Sequence, residues 1–218
     1  MRTEVISNNR LILLKKLNNC GFIRDFYLAG GTGLSLVYGY RESYDFDFFC
    51  YHDFNPNEIL SQIKKELNSY NIEVINIKTN LSSIDLYIDG VQLSFFQYSY
   101  PMLGDFTYDD ETKNIAIASI EDIACMKASE INQRGSKKDF FDLFHIFKET
   151  NLNEYQFIDL LTKKYNDKNL LVSLLYAFSF FEDAEKEKMP NTFVEYSWDE
   201  IKEFFYCLSI KMKKCLFK

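Results

Sequence analysis

Between Phe26 and Phe49 the chain reads FYLAGGTGLSLVYGYRESYDFDFF, and this stretch constrains the fold more than any other. FYLAG has the composition of a short buried strand. Gly30 and Gly31 interrupt it, TGLSLVYGY reads as a helix opening at Thr32 or Gly33, and YDFDFFCY reads as a second strand. On a strand, alternation sends Asp45 and Asp47 to one face and Phe46 and Phe48 to the other. A glycine turn at a helix mouth aims backbone N–H groups and the positive end of the helix dipole at an anion. Two carboxylates side by side repel, and they need a metal or strong donors nearby. Magnesium commonly takes one or two carboxylates and completes its shell with substrate phosphate oxygens. Each half of the pattern is common by itself: Gly-Gly turns serve plain sterics, and D-x-D also occurs in glycosyltransferases and on exposed edge strands. Their combination in this order points to a nucleoside triphosphate held with its metal.

Composition limits the alternatives. The 218 residues suffice for one large domain or two small ones, and three prolines with eight glycines leave little room for linkers. A net charge of −7 argues against coating nucleic acid through bulk charge, although a local basic site remains compatible with it. The five cysteines (Cys20, Cys50, Cys125, Cys207 and Cys215) form no C-x-x-C pair and read as free thiols in a reducing cytoplasm. Two histidines, His52 and His145, are too few for a His-based metal centre. The apolar run LLVSLLYAFSFF at 170–181 is too short to span a bilayer, so no membrane association is expected.

The expected architecture is α+β. Residues 5–19 form a first helix, and Asn-Pro-Asn at 55–57 starts an amphipathic one. IEVINIKT, SIDLYI and VQLSFFQY are strands, the last two joined by an Asp89-Gly90 hairpin turn. After about residue 118 every pattern is helical, including a single helix over KNLLVSLLYAFSFFEDA, and Ser119 with Asp122 resembles a capping box. The expected division is 1–117, a mixed sheet with helices, and 118–218, a helical domain that completes the cleft. Lys127 and Arg134 stand nearly two helical turns apart and share a face. With Lys137 and Lys138 beyond the Gly135-Ser136 break they make a dense basic cluster. Asp139 and Asp142 are expected in the first turn of the next helix, where acids favour the dipole in any case. His145 reads as a packed ring.

GGTGLSLVYGYRESYDFDFF resembles the signature of nucleotidyltransferases of the DNA polymerase β superfamily, and most closely that of the AbiEii/AbiGii toxin family. A second segment, IASIEDIACMKASEINQRGSKKDFFDLFHI, residues 117–146, is similar to that family's helix with a Lys, an Arg, then Lys-Asp and a further Asp. The resemblance implies that Gly30, Gly31 and Thr32 cradle the triphosphate and that Asp45 and Asp47 bind Mg²⁺. It implies that Arg41 and Ser43 position the loop or the phosphates, and that Lys127 neutralises phosphate charge. Arg134, Lys138, Asp139 and Asp142 match the second motif, with Lys138 or Arg134 touching nucleotide or acceptor. The implied activity is transfer of a nucleoside monophosphate from an NTP to an acceptor, with tRNA a plausible one. The implied setting is a cytoplasmic toxin restrained by a separately encoded antitoxin.

The sequence departs from the superfamily at one position. The third carboxylate, expected on a neighbouring strand, falls on Ser94 in GVQLSFF, while Asp85 lies on the preceding strand of the hairpin. Two alternatives accompany the RNA-directed toxin: transfer to a small molecule such as an antibiotic or sugar, which nothing in the sequence rejects, and an inactive homologue that binds nucleotide or a partner, which the Ser94 departure supports.

Overall fold

The computed structural model describes residues 1–217, which fall into two compact units. Met1–Pro101 and Asp105–Ser119 make the first, and Met102–Gly104 with Ile120–Lys218 make the second. The first unit is built on a six-stranded mixed sheet of β1 (Tyr27–Leu28), β2 (Phe46–Cys50), β3 (Val74–Thr79), β4 (Ser83–Ile88), β5 (Val91–Gln97) and β6 (Ala116–Ile117). The spatial order is β3-β4-β5-β2-β1-β6. The β2–β5 and β1–β6 pairs are parallel and the others antiparallel. Asp89 and Gly90 turn β4 into β5 with φ of 49° and 76°, the left-handed pair a two-residue hairpin requires.

Alternation decides which face of the sheet is covered. Ile84, Leu86 and Ile88 of β4 are buried, as are Leu93 and Phe95 of β5 and Phe46 and Phe48 of β2. They form one apolar cluster with Leu13, Leu14 and Leu17 of α1 (Asn8–Leu17) and Ile59, Ile63 and Leu67 of α3 (Pro56–Asn68). Helix α3 starts where its sequence directs: Asn55 accepts the Asn57 N–H at 3.0 Å, and Pro56 takes the first position, where no N–H is needed. The first helix is shorter than its periodicity implied, because Thr3–Val5 forms a separate 3-10 turn before Ser7.

The second unit contains α4 (Ile120–Arg134), α5 (Lys137–Thr150), α6 (Glu154–Tyr165), α7 (Lys168–Ala177), α8 (Glu182–Glu185) and α9 (Trp198–Leu216). Its core is aromatic: Phe140 meets Phe205 at 5.0 Å and Phe147 meets Phe157 at 4.9 Å, both edge to face. The expected single helix over 168–184 is two helices. The chain tightens after Ala177, where Ser179 N–H bonds Tyr176 O and Phe180 N–H bonds Ala177 O. Phe178 then packs on Phe157 and Phe205, and Phe181 on Phe140 and Trp198. Burial of the two rings against different partners outweighs helix propensity at that junction.

Candidate active site

Helix α2 (Gly30–Tyr38) opens at Gly30, two or three residues earlier than its sequence suggested. Gly30 has φ +60°, and a Cβ there would stand 2.9 Å from Asp47 Oδ2. Glycine is therefore needed twice, for the left-handed backbone and for the approach of the carboxylate. The Asp47 carboxylate thus lies against the first residue of α2, at the positive end of the helix dipole. Ala29 N–H donates to Asp47 O at 3.0 Å, which ties the helix mouth to β2.

Asp45 is not on the strand as expected: β2 begins at Phe46, and Asp45 ends the preceding loop. That loop is held from below. The Thr32 hydroxyl donates to the Asp45 carbonyl and lies 2.6 Å from Ser43 Oγ, so Ser43 is the donor in that pair. Ser43 N–H donates to Val5 O at 3.0 Å. Thr32 and Ser43 are buried, so they fix the loop and with it the position of Asp45. Arg41 is buried too, its guanidinium 5.7 Å from the Tyr40 ring centre and donating to Glu42 O at 2.8 Å. Both aspartates are half-exposed while Phe46 and Phe48 are fully buried.

Register places Asp47 beside Ser94, and Ser94 beside Asp85, so the three lie in one row across β2, β5 and β4. Lys78 of β3 continues the row beyond Asp85. Strands lie about 4.8 Å apart, so Asp47 and Asp85 are separated by roughly 10 Å at the backbone. No group of three or more His, Cys, Asp or Glu arranged to hold a metal exists among the described residues. The carboxylate pair suits an ion that substrate oxygens help to bind. Mg²⁺ in a nucleotide complex is an ion of that kind, since it takes one or two carboxylates and completes its shell with phosphate oxygens and water.

The second motif converges within the helical unit. Lys127 is buried, with its ammonium 2.8 Å from Asp139, 2.6 Å from Glu130 and 3.4 Å from Asp142. Arg134 reaches Asp139 through Nε at 2.7 Å and Glu130 through Nη2 at 3.1 Å. Gly135, at φ +57°, ends α4 so that α5 can return and bring Asp139 back to this cluster. Burial opposes the charge on Lys127, but Asp139, Glu130 and Asp142 outweigh it and hold its pKa well above the ordinary value. Burial pushes Glu130 up to about 7. Burial would also raise Asp139, but Lys127 and the Arg134 hydrogen bond overcome it and keep that carboxyl ionised.

The expected basic cluster is thus largely an ion-pair network. Lys137 is buried 4.8 Å from the Trp198 ring centre, while Arg134 is half-exposed and Lys138 exposed. Asp142 lies in the second turn of α5, one turn later than expected, and is buried with Asp139. Asp122 accepts from Leu103 N–H at 3.1 Å, Gly104 N–H at 3.3 Å and buried Lys164 at 2.6 Å, which makes it more than a capping residue. Sequence reasoning missed Glu130 and Lys164. Glu130 stands three residues after Lys127 and four before Arg134, the spacing of a helical ion pair. Lys164 follows Phe157 and Leu161 on the buried face of α6, and a lysine there requires an acid.

The glycine turn held against Asp47 is the arrangement expected of a nucleotidyltransferase, and the comparisons point to that class. The family described as "Nucleotidyl transferase AbiEii toxin, Type IV TA system" matches residues 12–76, which run from α1 through the glycine turn and both aspartates. The uncharacterised protein aq_aa25 of Aquifex aeolicus (strain VF5) is 37% identical over 194 residues, 88% of this chain and 90% of that one. Two Helicobacter pylori crystal structures share the fold. One is a candidate nucleotidyltransferase (TM-score 0.53, 19% identity, 95% and 94% of the two chains) and the other is JHP933 (TM-score 0.52, 19%, 97% and 94%). The chain belongs to the AbiEii nucleotidyltransferase toxin family. Among the described residues no helix is long and apolar enough to cross a membrane.

Proposed function

We propose that this AbiEii-family nucleotidyltransferase moves a nucleoside monophosphate from an NTP to the hydroxyl of an RNA, with tRNA as the acceptor, under the control of a cognate antitoxin in the cytoplasm. The observation that carries the reading is the Asp47 carboxylate seated over Gly30 at the mouth of α2, beside Asp45 on a pinned loop. Gly30, Gly31 and the first turn of α2 would bind the triphosphate, since the first N–H groups of a helix have no acceptor within it. Asp45 and Asp47 would hold Mg²⁺, which screens the triphosphate and polarises the α-phosphate when bound. Thr32, Ser43 and Arg41 keep the loop in place. The acceptor oxygen forms its bond to the α-phosphorus as the bond to pyrophosphate breaks, and the hydroxyl proton passes to solvent or a nearby base. We assign Arg134 and Lys138, the cations left exposed, to nucleotide or acceptor phosphates, and Lys127 to ordering Asp139 and Arg134.

Ser94 favours a second reading, nucleotide binding without transfer, because it stands beside Asp47 where a third carboxylate would be. Transfer of label from each α-labelled NTP to total tRNA, with Mg²⁺, separates the two. Labelled RNA with the native protein and none with Asp47→Asn supports the transferase. Unlabelled RNA with intact NTP binding supports the binding protein, and label on an added aminoglycoside or sugar in place of RNA would identify a small acceptor.

A further inference from the structure

The helical unit carries a groove that the motif residues do not line. It runs between α7 and the second half of α9, with a volume of 660 Å³, and its walls include Val172, Tyr176, Phe180, Ser209, Lys213 and Phe217. Val172 and Phe217 also border a second hollow of 370 Å³ that reaches Lys168. Ser209, Lys213 and Phe217 recur every four residues, so one face of α9 forms a wall. Three rings on the rim stand in solvent: Tyr176 is 76% exposed, Phe180 55% and Phe217 65%.

The charge of these walls runs against that of the chain. Neither α7 nor α9 after Glu203 contains a single acid, yet Lys213 lines the groove and Lys168 the second hollow. Among the described residues neither of these two lysines is in an ion pair, whereas Lys148, Lys163, Lys186 and Lys202 all are. Asp167, the acid bordering the second hollow, is occupied as the N-cap of α7, accepting the Asn169 N–H at 2.8 Å. Lysines near the end of α9 offset its dipole, but Lys168 sits at the start of α7, where the dipole disfavours a cation. Its placement there suits an external anion. Protein interfaces are depleted in lysine at their centres, whereas exposed rings beside free cations suit stacked bases on a phosphate backbone.

We propose that the α7–α9 groove binds single-stranded RNA, with Tyr176, Phe180 and Phe217 stacking bases and Lys168 and Lys213 meeting phosphates. The inference rests on the RNA-acceptor reading above and adds the surface that would hold the acceptor. The test is fluorescence anisotropy of a short, unstructured, end-labelled RNA across a salt series, using the full chain and two double variants. Tyr176→Ala/Phe217→Ala should weaken binding about tenfold or more at every salt concentration. Lys168→Gln/Lys213→Gln should reduce the slope of log K against log salt by about 1.4, the value for two phosphate contacts on a single strand. All four side chains are exposed, so folding is not at stake, and Mg·NTP binding measured in parallel should keep its value. Unchanged RNA affinity and slope in both variants would overturn the proposal. So would a concentration-dependent dimer that the ring variant abolishes, since a second copy would then be the occupant. Unaltered RNA binding by these variants, with transfer still lost in Asp47→Asn, would refute the groove and leave the transferase standing. Lost RNA binding with no RNA ever labelled by the native protein would support the groove and refute the acceptor reading.

Discussion

At the scale of single residues, the site depends on how closely two atoms approach. Gly30→Ala must place a methyl 2.9 Å from the Asp47 carboxylate and hold alanine at φ +60°. The backbone strain alone costs about 1–2 kcal/mol, and the carboxylate has to move. We expect a lower Tm and loss of NTP transfer together, measured by thermal denaturation and labelled-NTP assay. Asp47→Asn should lose transfer with little change in Tm, because it relieves the repulsion between two half-exposed carboxylates and keeps the size of the side chain. Asp85 tests the row. Side chains standing off the sheet leave it roughly 10 Å from Asp47, more than twice the ~4 Å that ligands at about 2.1 Å span across Mg²⁺. Asp85→Asn should therefore retain transfer within a few-fold, and a loss like that of Asp47→Asn would place Asp85 in the chemistry. The glycine turn and the strand position of Asp47 were legible because both rest on local periodicity and backbone freedom. The role of Thr32 was not, since its partners Ser43 and Asp45 depend on how the loop folds back under α2.

At the scale of elements, the α4–α5 corner concentrates charge away from water. Removing one member of such a network leaves the others unpaired, and Lys127→Met should cost about 3–5 kcal/mol in urea denaturation. Glu130 gives the corner a pH dependence. Its folded pKa of about 7 lies above its ordinary 4.5, so the native state holds a proton that the unfolded chain has released. The contribution from Glu130 is full below pH 4.5 and fades as pH rises from 4.5 to 7. Asp139 acts oppositely, its lowered pKa contributing above about pH 4 and failing in acid. Glu130→Gln should flatten the fall in stability between pH 4.5 and 7, read as urea midpoints across that window. Helices with caps and regular apolar spacing were legible, as α3 and α6 illustrate. The break after Ala177 was not, because it follows from which rings Phe178 and Phe181 find in three dimensions. The start of β2 at Phe46 was likewise hidden by an unbroken alternation through Asp45.

At the scale of the whole molecule, the chain passes between its two units three times: at 101–102, at 104–105 and at 119–120. The short excursion is fastened by Asp122, which receives the Leu103 and Gly104 amides and the buried Lys164 ammonium. Asp122→Ala takes the carboxylate away from that ammonium and from both amides. We expect a loss of about 3–5 kcal/mol in chemical denaturation, together with new protease cleavage near residues 102–104. The fastening has a consequence for inheritance. A gene segment ending at Ser119 would carry Leu103 and Gly104 away from the carboxylate that receives them, and one beginning at Ile120 would deprive Asp122 of both amides. Neither unit can be moved into another gene by one cut at that boundary without losing both amide contacts to Asp122. Sequence exchange among relatives should therefore preserve 102–104 and 120–218 as a single block of descent.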